Sequence, residues 1–414
     1  MLLRARVVVP VSQPPIDNGA VFVSGQRIRA VGPWRELRKL GGPVTDLGAV
    51  ALLPGLINAH CHLDYTGMAG EFPPPRRFTD WIKQITTAKG LWTDEDFAAS
   101  WQQGAAMLLR TGTTTVGDIE ALPELLPTQW NTTPLRVFSF LEMTGIRSRR
   151  APKAVLDEAL ARIARLKHPR CRAWLSPHAP YSTLPELLKL TTRTARRRRW
   201  RVTTHVAESD QEFEMFVHAQ GEMHDWLKRN ERNNADCGLG SPVQHLERCG
   251  ALHSSLLAIH VNYLAPGDAE RLGKRGVHVV HCPRSHAYFR HQAFPYEALT
   301  AAGVNVSLAT DSLASVEQPH RQTIELNLFA EMAAFARRFP HVPAEHILRL
   351  VTVNPARALG QAGKLGELHT GARADLIAVP LKGRREEIYS TLIHHSGSVL
   401  ASMIDGRWAV APSA

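Results

Sequence analysis

Cysteine is scarce. Five residues (Cys61, Cys171, Cys237, Cys249 and Cys282) lie scattered over 414, none in a C-x-x-C pair. A disulfide framework is therefore not expected. No stretch reaches the ~18 apolar residues of a spanning helix. The opening "MLLRARVVVPVSQPP" is broken by Pro10 and offers no small-residue cleavage site. These absences together predict a soluble protein of a reducing cytoplasm, without a membrane partner.

Acidic residues are also outnumbered, 38 against 49 Lys and Arg, giving a formal charge of +11. A basic chain can bind nucleic acid, yet no zinc-finger, RRM or KH signature accompanies the charge. Much of the excess sits in "RTARRRRWR" (193–201) and "RSRR" (147–150). The first run follows "LPELLKLTT", so it reads as the solvated last turns of a helix, where cations suit the helix dipole. Nucleic acid is not an expected partner.

What the chain has is alternation. Short β-rich runs occur at 50–60, 113–119, 135–142, 171–178, 201–206, 256–261, 277–282 and 304–311. Helix-period segments such as "PKAVLDEALARIARLK" (152–167) and "HRQTIELNLFAEMAAFARRF" (320–339) fill most gaps. Eight strands separated by helices predict a TIM-like (β/α)8 barrel over 51–364. Two β-rich ends, 1–50 and 365–414, are each too short for a core and are expected to pair into one small β-sandwich. The polar stretch 228–250 reads as a lid or rim.

Histidines punctuate this pattern. His60 and His62 end the first strand, and His178, His205, His260 and His281 stand at or near the ends of strands four to seven. Asp311 ends the eighth. A lone strand-end histidine is commonly structural, but in a barrel these ends converge on one face. Side chains two apart on a strand share a side, so His60 and His62 can serve one ion. With His205 and Asp311 they make an open catalytic site for one divalent metal ion, most simply Zn2+, with Fe2+ or Mn2+ also suited.

"PGLINAHCH", "TGTTTVGD", "SPHAPYS", "THVAES", "AIHVNYL", "HCPRSHAYF", "SLATDSLAS", "VTVNPARALG" and "GKLGELHTGARADLIAV" occur in this order. Together they resemble the amidohydrolase superfamily, in its chlorohydrolase and deaminase branch. The resemblance implies the barrel, the terminal sandwich and hydrolysis at a metal site held by His60, His62, His205 and Asp311. It further implies catalytic roles for Glu208 as proton shuttle and for His260 and Asp311 in orienting and deprotonating water. His178 is expected to contact substrate. No lysine occurs in "CRAWLSPHAPYST", which disfavours the carboxylated-lysine, two-metal variant of the family.

The implied activity is metal-dependent hydrolytic deamination of a small molecule, an aminated purine-type heterocycle or nucleoside. Dechlorination or dealkylamination of a triazine, or amide hydrolysis, is the alternative within the same frame, and a non-catalytic basic binding protein is a remoter one. This branch often forms homodimers. "HCHLDYTGMAGEF" with "FTDWIKQI" is similar to aminodeoxyfutalosine deaminases, whose substrate bears an aromatic carboxylate. Asp64 and Tyr65 are then expected at the pocket and Trp81 in helix packing. Arg284 and His286 depart from the commoner family pattern and either grip a carboxylate or purine edge or support the loop. His281 is either a packed strand residue or a substrate contact. Arg147, Arg149 and Arg150 either meet an acidic substrate or are solvated.

Overall fold

The computed structural model describes residues 1–146, 150–320 and 322–412. Eight parallel strands follow the predicted order: Leu56–Cys61, Thr113–Glu120, Arg136–Met143, Arg172–Pro177, Val202–Val206, Leu256–His260, His278–His281 and Asn305–Leu308. They are numbered one to eight below. The fifth and sixth are buried along their whole length, as strands covered on both faces must be. A parallel bridge between Cys61 and Asp311 closes the barrel. Ile57, Phe138, Phe140, Leu257, Ile259 and Val280 fill its interior, which is therefore packed core.

The run at 50–60 is two strands, not one. Val50–Pro54 joins the terminal sheet, pairing with Leu376–Pro380, and only Leu56–Cys61 enters the barrel. Gly55 is the pivot: a Cβ there would lie 2.1 Å from Thr114 Oγ1, so only glycine lets the chain pass. Apolar residues resume directly after Pro54-Gly55, so the dipeptide, a turn signal, is what marks the pivot in the sequence.

The terminal segments form one continuous sheet. Arg407–Val410, Ala401–Ile404, Leu376–Pro380, Val50–Pro54, Leu2–Val8, Ile16–Ser24 and Arg27–Pro33 are neighbours in that order, and Val44–Asp46 also pairs with Leu2–Val8. Leu3, Val21, Ile28, Leu52, Leu376 and Met403 build a core of their own. Arg136, at the start of the third barrel strand, is buried and pairs with Asp375 at 3.1 Å and Asp405 at 2.8 Å. This pairing fastens barrel to sheet.

Helices cover the barrel's outside. Asp94–Arg110 starts with a capping box between Thr93 and Asp96. The segment 320–339 is helical only over Leu328–Arg338, and residue 321 lies outside the described residues. Asn327 accepts from the amides of Phe329 and Ala330, so the cap sets the later start. No helix among the described residues is long and apolar enough to cross a membrane.

Candidate active site

Five imidazoles and two carboxylates meet at the C-terminal mouth of the barrel. Along the first strand the pairing register slips between Asn58 and Cys61. There the inward face passes from Ile57 and Ala59 to His60 and His62, whose ring centres are 5.0 Å apart. Barrel closure adds Asp311: its amide donates to His60 O at 3.2 Å, and Oδ1 stands 3.4 Å from His60 Nε2 and 3.7 Å from His62 Nε2. Ser285 and Ser315 donate to the other oxygen, Oδ2, at 2.6 and 3.1 Å. The carboxylate is thereby aimed at the histidines.

His205 completes the set from the fifth strand, 4.9 Å from His60 ring to ring. Its Nδ1 meets His178 O at 3.0 Å, which leaves Nε2 free of that bond. Burial, then the neighbouring imidazoles, pushes the pKa of His205 well below its ordinary value; burial, then His60, does the same to His62. Both are neutral, the form that ligates metals. Burial would raise the Asp311 carboxyl, but His60 and the surrounding imidazoles hold it well below the usual range.

These residues fit a divalent ion. Both ring nitrogens of fully buried His60, Nδ1 of His62 and Nε2 of His260 lack hydrogen-bond partners. Such orphans are costly unless something binds them. Donor atoms of His60, His62 and Asp311 lie within 4.8 Å of one another, as do those of His60, His205 and His260.

Glu208 stands at the rim of this cluster. Its Oε1 is 3.3 Å from His260 Nε2. Burial, then Asp311 and Glu212, raises the Glu208 pKa well above the ordinary carboxyl value, while burial drives His260 down to about 3. A protonated acid beside a neutral imidazole results. Its backbone is clamped on both sides, Glu208 N donating to Glu212 Oε2 at 2.9 Å and Asn262 Nδ2 donating to Glu208 O at 2.9 Å. Ala207, His260, Val261 and Asp311 all hold left-handed φ angles between 50° and 73°. Such strain gathers at sites whose surroundings dictate the backbone.

Above the cluster opens a cavity of about 370 Å3. His62, His178, His205, Glu208, His260 and Asp311 form its floor. Phe78, Trp81, Ile85, Ile146 and Trp226 form an apolar wall, interrupted by Glu142, Lys89 and Thr86. His178 is fixed by Ser182 Oγ, 2.5 Å from its Nδ1, and faces Glu142 at 4.0 Å. Tyr65 lines the cavity beside Lys89, whose ammonium it meets.

The structure corrects some expectations and decides between the alternatives of others. Arg284 does not reach the cavity, because its guanidinium is spent on buried Glu331 and on Glu325 O. His286 also stands outside it, edge-on to His281 at 5.2 Å. His281 is a packed strand residue, stacked on Phe294 at 3.8 Å. Trp81 lines the cavity in addition to packing against Phe289, whereas Asp64 is buried outside it. The stretch 228–250 is held as framework: buried Arg232 pairs with Asp236 and donates to Tyr181 O and Pro180 O. Arg150 is exposed and paired with Glu158, while Arg147 and Arg149 lie outside the described residues.

Other site residues carried weaker signals. Glu212 was visible as the fourth member of "SDQE", a capping-box spacing whose serine, Ser209, accepts from the Glu212 amide at 3.1 Å. Glu142 and Trp226 carried no local signal, since only the barrel's closure makes them neighbours.

A parallel barrel with clustered imidazoles and carboxylates at its C-terminal mouth defines a class of barrel enzymes with a ligand site at the strand ends. The chain belongs to the amidohydrolase family, whose sequence model matches residues 51–409. Members of this family are typically metal-dependent. A 5-methylthioadenosine/S-adenosylhomocysteine deaminase from Syntrophobacter fumaroxidans is 32% identical over 94% of this chain and 88% of its own length. Among solved structures, an adenosine deaminase from Xanthomonas campestris with bound zinc superposes with a TM-score of 0.84 at 24% identity, over 98% of this chain and 92% of that one. An aminofutalosine deaminase from Helicobacter pylori, in complex with methylthio-coformycin, gives 0.86 at 22% identity, over 98% and 99%.

Proposed function

We propose that the protein hydrolytically deaminates an adenosine-type nucleoside, releasing ammonia. The observation that carries this reading is the Glu208–His260 pair, 3.3 Å apart beneath an aromatic-walled cavity. Deamination of an aminated ring needs a proton delivered to a ring nitrogen and a base for the attacking water. A Glu208 carboxyl kept protonated by burial suits the first task, and neutral His260, near the Asp311 carboxylate, suits the second.

His60, His62, His205 and Asp311 would hold one divalent ion, zinc in the simplest case, which supplies Lewis acidity for hydrolysis. His260 and Asp311 orient the water and take its proton as oxygen adds to the amino-bearing carbon. Glu208 gives its proton to the adjacent ring nitrogen. On collapse the adduct's hydroxyl proton passes through Glu208 to the amine, the C–N bond breaks, ammonia leaves behind a ring carbonyl, and the proton first taken from water by His260 and Asp311 restores Glu208. His178 contacts the heterocycle.

The cavity wall narrows the substrate class. Glu142 can accept hydrogen bonds from sugar hydroxyls, and Phe78, Ile85, Ile146 and Trp226 offer an apolar seat to a substituent beyond the sugar. Among the lining residues Lys89 is the one cation, already engaged by Tyr65. An adenine nucleoside with a small apolar 5′ substituent fits this wall better than one bearing a carboxylate. The test is ammonia release from 5′-methylthioadenosine, 5′-deoxyadenosine, adenosine, S-adenosylhomocysteine and aminodeoxyfutalosine. Preference for the first two supports the reading; turnover of none, by protein retaining its metal, would refute it.

A further inference from the structure

The opposite end of the barrel holds a second concavity, remote from the chemistry above. Strands four to seven begin there, and the segment after the helix Val353–Ala358 crosses beneath them. Between them opens a recess of about 800 Å3. Arg196 and Arg199, from the end of the helix Pro185–Arg198, line it with Arg201, Arg357, His253 and Trp174. This is where the arginine run of residues 193–201 ends up. Its charge is gathered partly into a pocket and not spread over a helix face alone.

The lining contains no carboxylate. Among the described residues, none of these four guanidiniums is ion-paired: Arg201 donates only to the backbone carbonyls of Ser254 and Arg357, at 2.6 and 3.4 Å. Arg284 and Arg232, by contrast, are paired, with Glu331 and Asp236. His253 Nε2 is buried without a hydrogen-bond partner. Two imidazoles stand at the recess. Burial and then Arg196 and Arg201 press His253 down to about 4; burial and then Arg201 and Arg357 press His278, also lining the recess, to about 4. Trp174, stacked on Phe138 at 4.8 Å, gives the recess an aromatic floor.

We infer that this recess binds a small molecule bearing two or more adjacent phosphate groups. Several unpaired guanidiniums converging on one hollow suit the forked recognition of phosphate oxygens. A nucleic-acid strand would call for a continuous basic track, whereas four of these guanidiniums gather in one hollow of small-molecule size. The site is independent of the deaminase reading.

The probe is inorganic pyrophosphate, titrated calorimetrically into the full-length metal-loaded protein at 0.1 M salt, with orthophosphate alongside. Pyrophosphate is expected to bind one per chain, more tightly than orthophosphate, and to weaken as salt rises. The double variant Arg199→Gln/Arg357→Gln should weaken it at least tenfold. Arg165→Gln/Arg197→Gln, which removes the same charge outside the recess, should leave it within twofold. Should the first double variant melt early, Arg196→Gln/Arg199→Gln, confined to exposed side chains, makes the same comparison. Absence of pyrophosphate binding at millimolar concentration would overturn the inference. So would equal weakening by the two kinds of double variant, or tight capture of a single-stranded oligonucleotide with no response to pyrophosphate.

Discussion

Ser285 Oγ lies 2.6 Å from Asp311 Oδ2, so one carboxylate oxygen is tethered and the other, 3.4 Å from His60 Nε2, is left for the histidine cluster. Ser285→Ala removes the shorter of the two hydroxyl tethers and leaves Ser315. Groups that orient metal ligands typically contribute ~10–100-fold in affinity. Ser285→Ala is thus expected to lower metal affinity by about tenfold, read by competition with a chromogenic chelator, while the fold is retained.

Glu208→Gln preserves shape but cannot cycle a proton. Turnover in the ammonia assay should fall by ~10²–10⁴-fold, the range for a general acid–base group. Metal content and melting temperature should stay unchanged. Retained turnover would move the proton shuttle to another residue.

Chelation tests the cluster as a whole. Dialysis against a strong chelator should abolish ammonia release, and one equivalent of divalent ion should restore it. In His62→Ala the same addition is expected to fail, because His62 and Asp311 both face the shared centre.

Glu212 gives a pH signature. Burial raises its pKa to about 8, against an ordinary value of 4.5. Between those values the folded state keeps a proton that the unfolded state has released, so stability declines as pH rises from 4.5 to 8 and the loss then levels off. Glutamine mimics the protonated acid. Glu212→Gln and the parent should be equally stable near pH 4.5 or below, and the variant should gain by up to about 1.4 kcal/mol per pH unit toward pH 8. Denaturant titrations at pH 5, 6, 7 and 8 measure the divergence; parallel curves would show that Glu212 is ionised in the native state.

Arg136→Met leaves Asp375 and Asp405 without their shared buried partner. Breaking a buried pair from one side costs about 3–5 kcal/mol. Denaturation should shift accordingly, and the terminal sheet should lose amide-exchange protection before the barrel does.

The architecture and the gathering of three histidines and an aspartate at one mouth were legible in the linear chain for a shared reason. Strands and helices have short periods, and a barrel sends every strand's C-terminal end to one mouth, so strand-end residues such as His60, His62, His205 and Asp311 can be collected without coordinates. Glu208 was legible through the "HVAE" resemblance, not through any local physical pattern.

What only the tertiary structure decided involves partners distant in sequence. "HCPRSH" leaves Arg284 open between gripping a substrate and supporting its loop, and Glu331, 47 positions later, claims it. The cavity wall joins Phe78, Ile146 and Trp226 from three different connections, and the recess joins Arg199 to Arg357. Local periodicity determines which elements form and which way their faces point. Pairing of charges and shaping of cavities depend on which loops the closed barrel makes neighbours, a property of the folded chain as a whole.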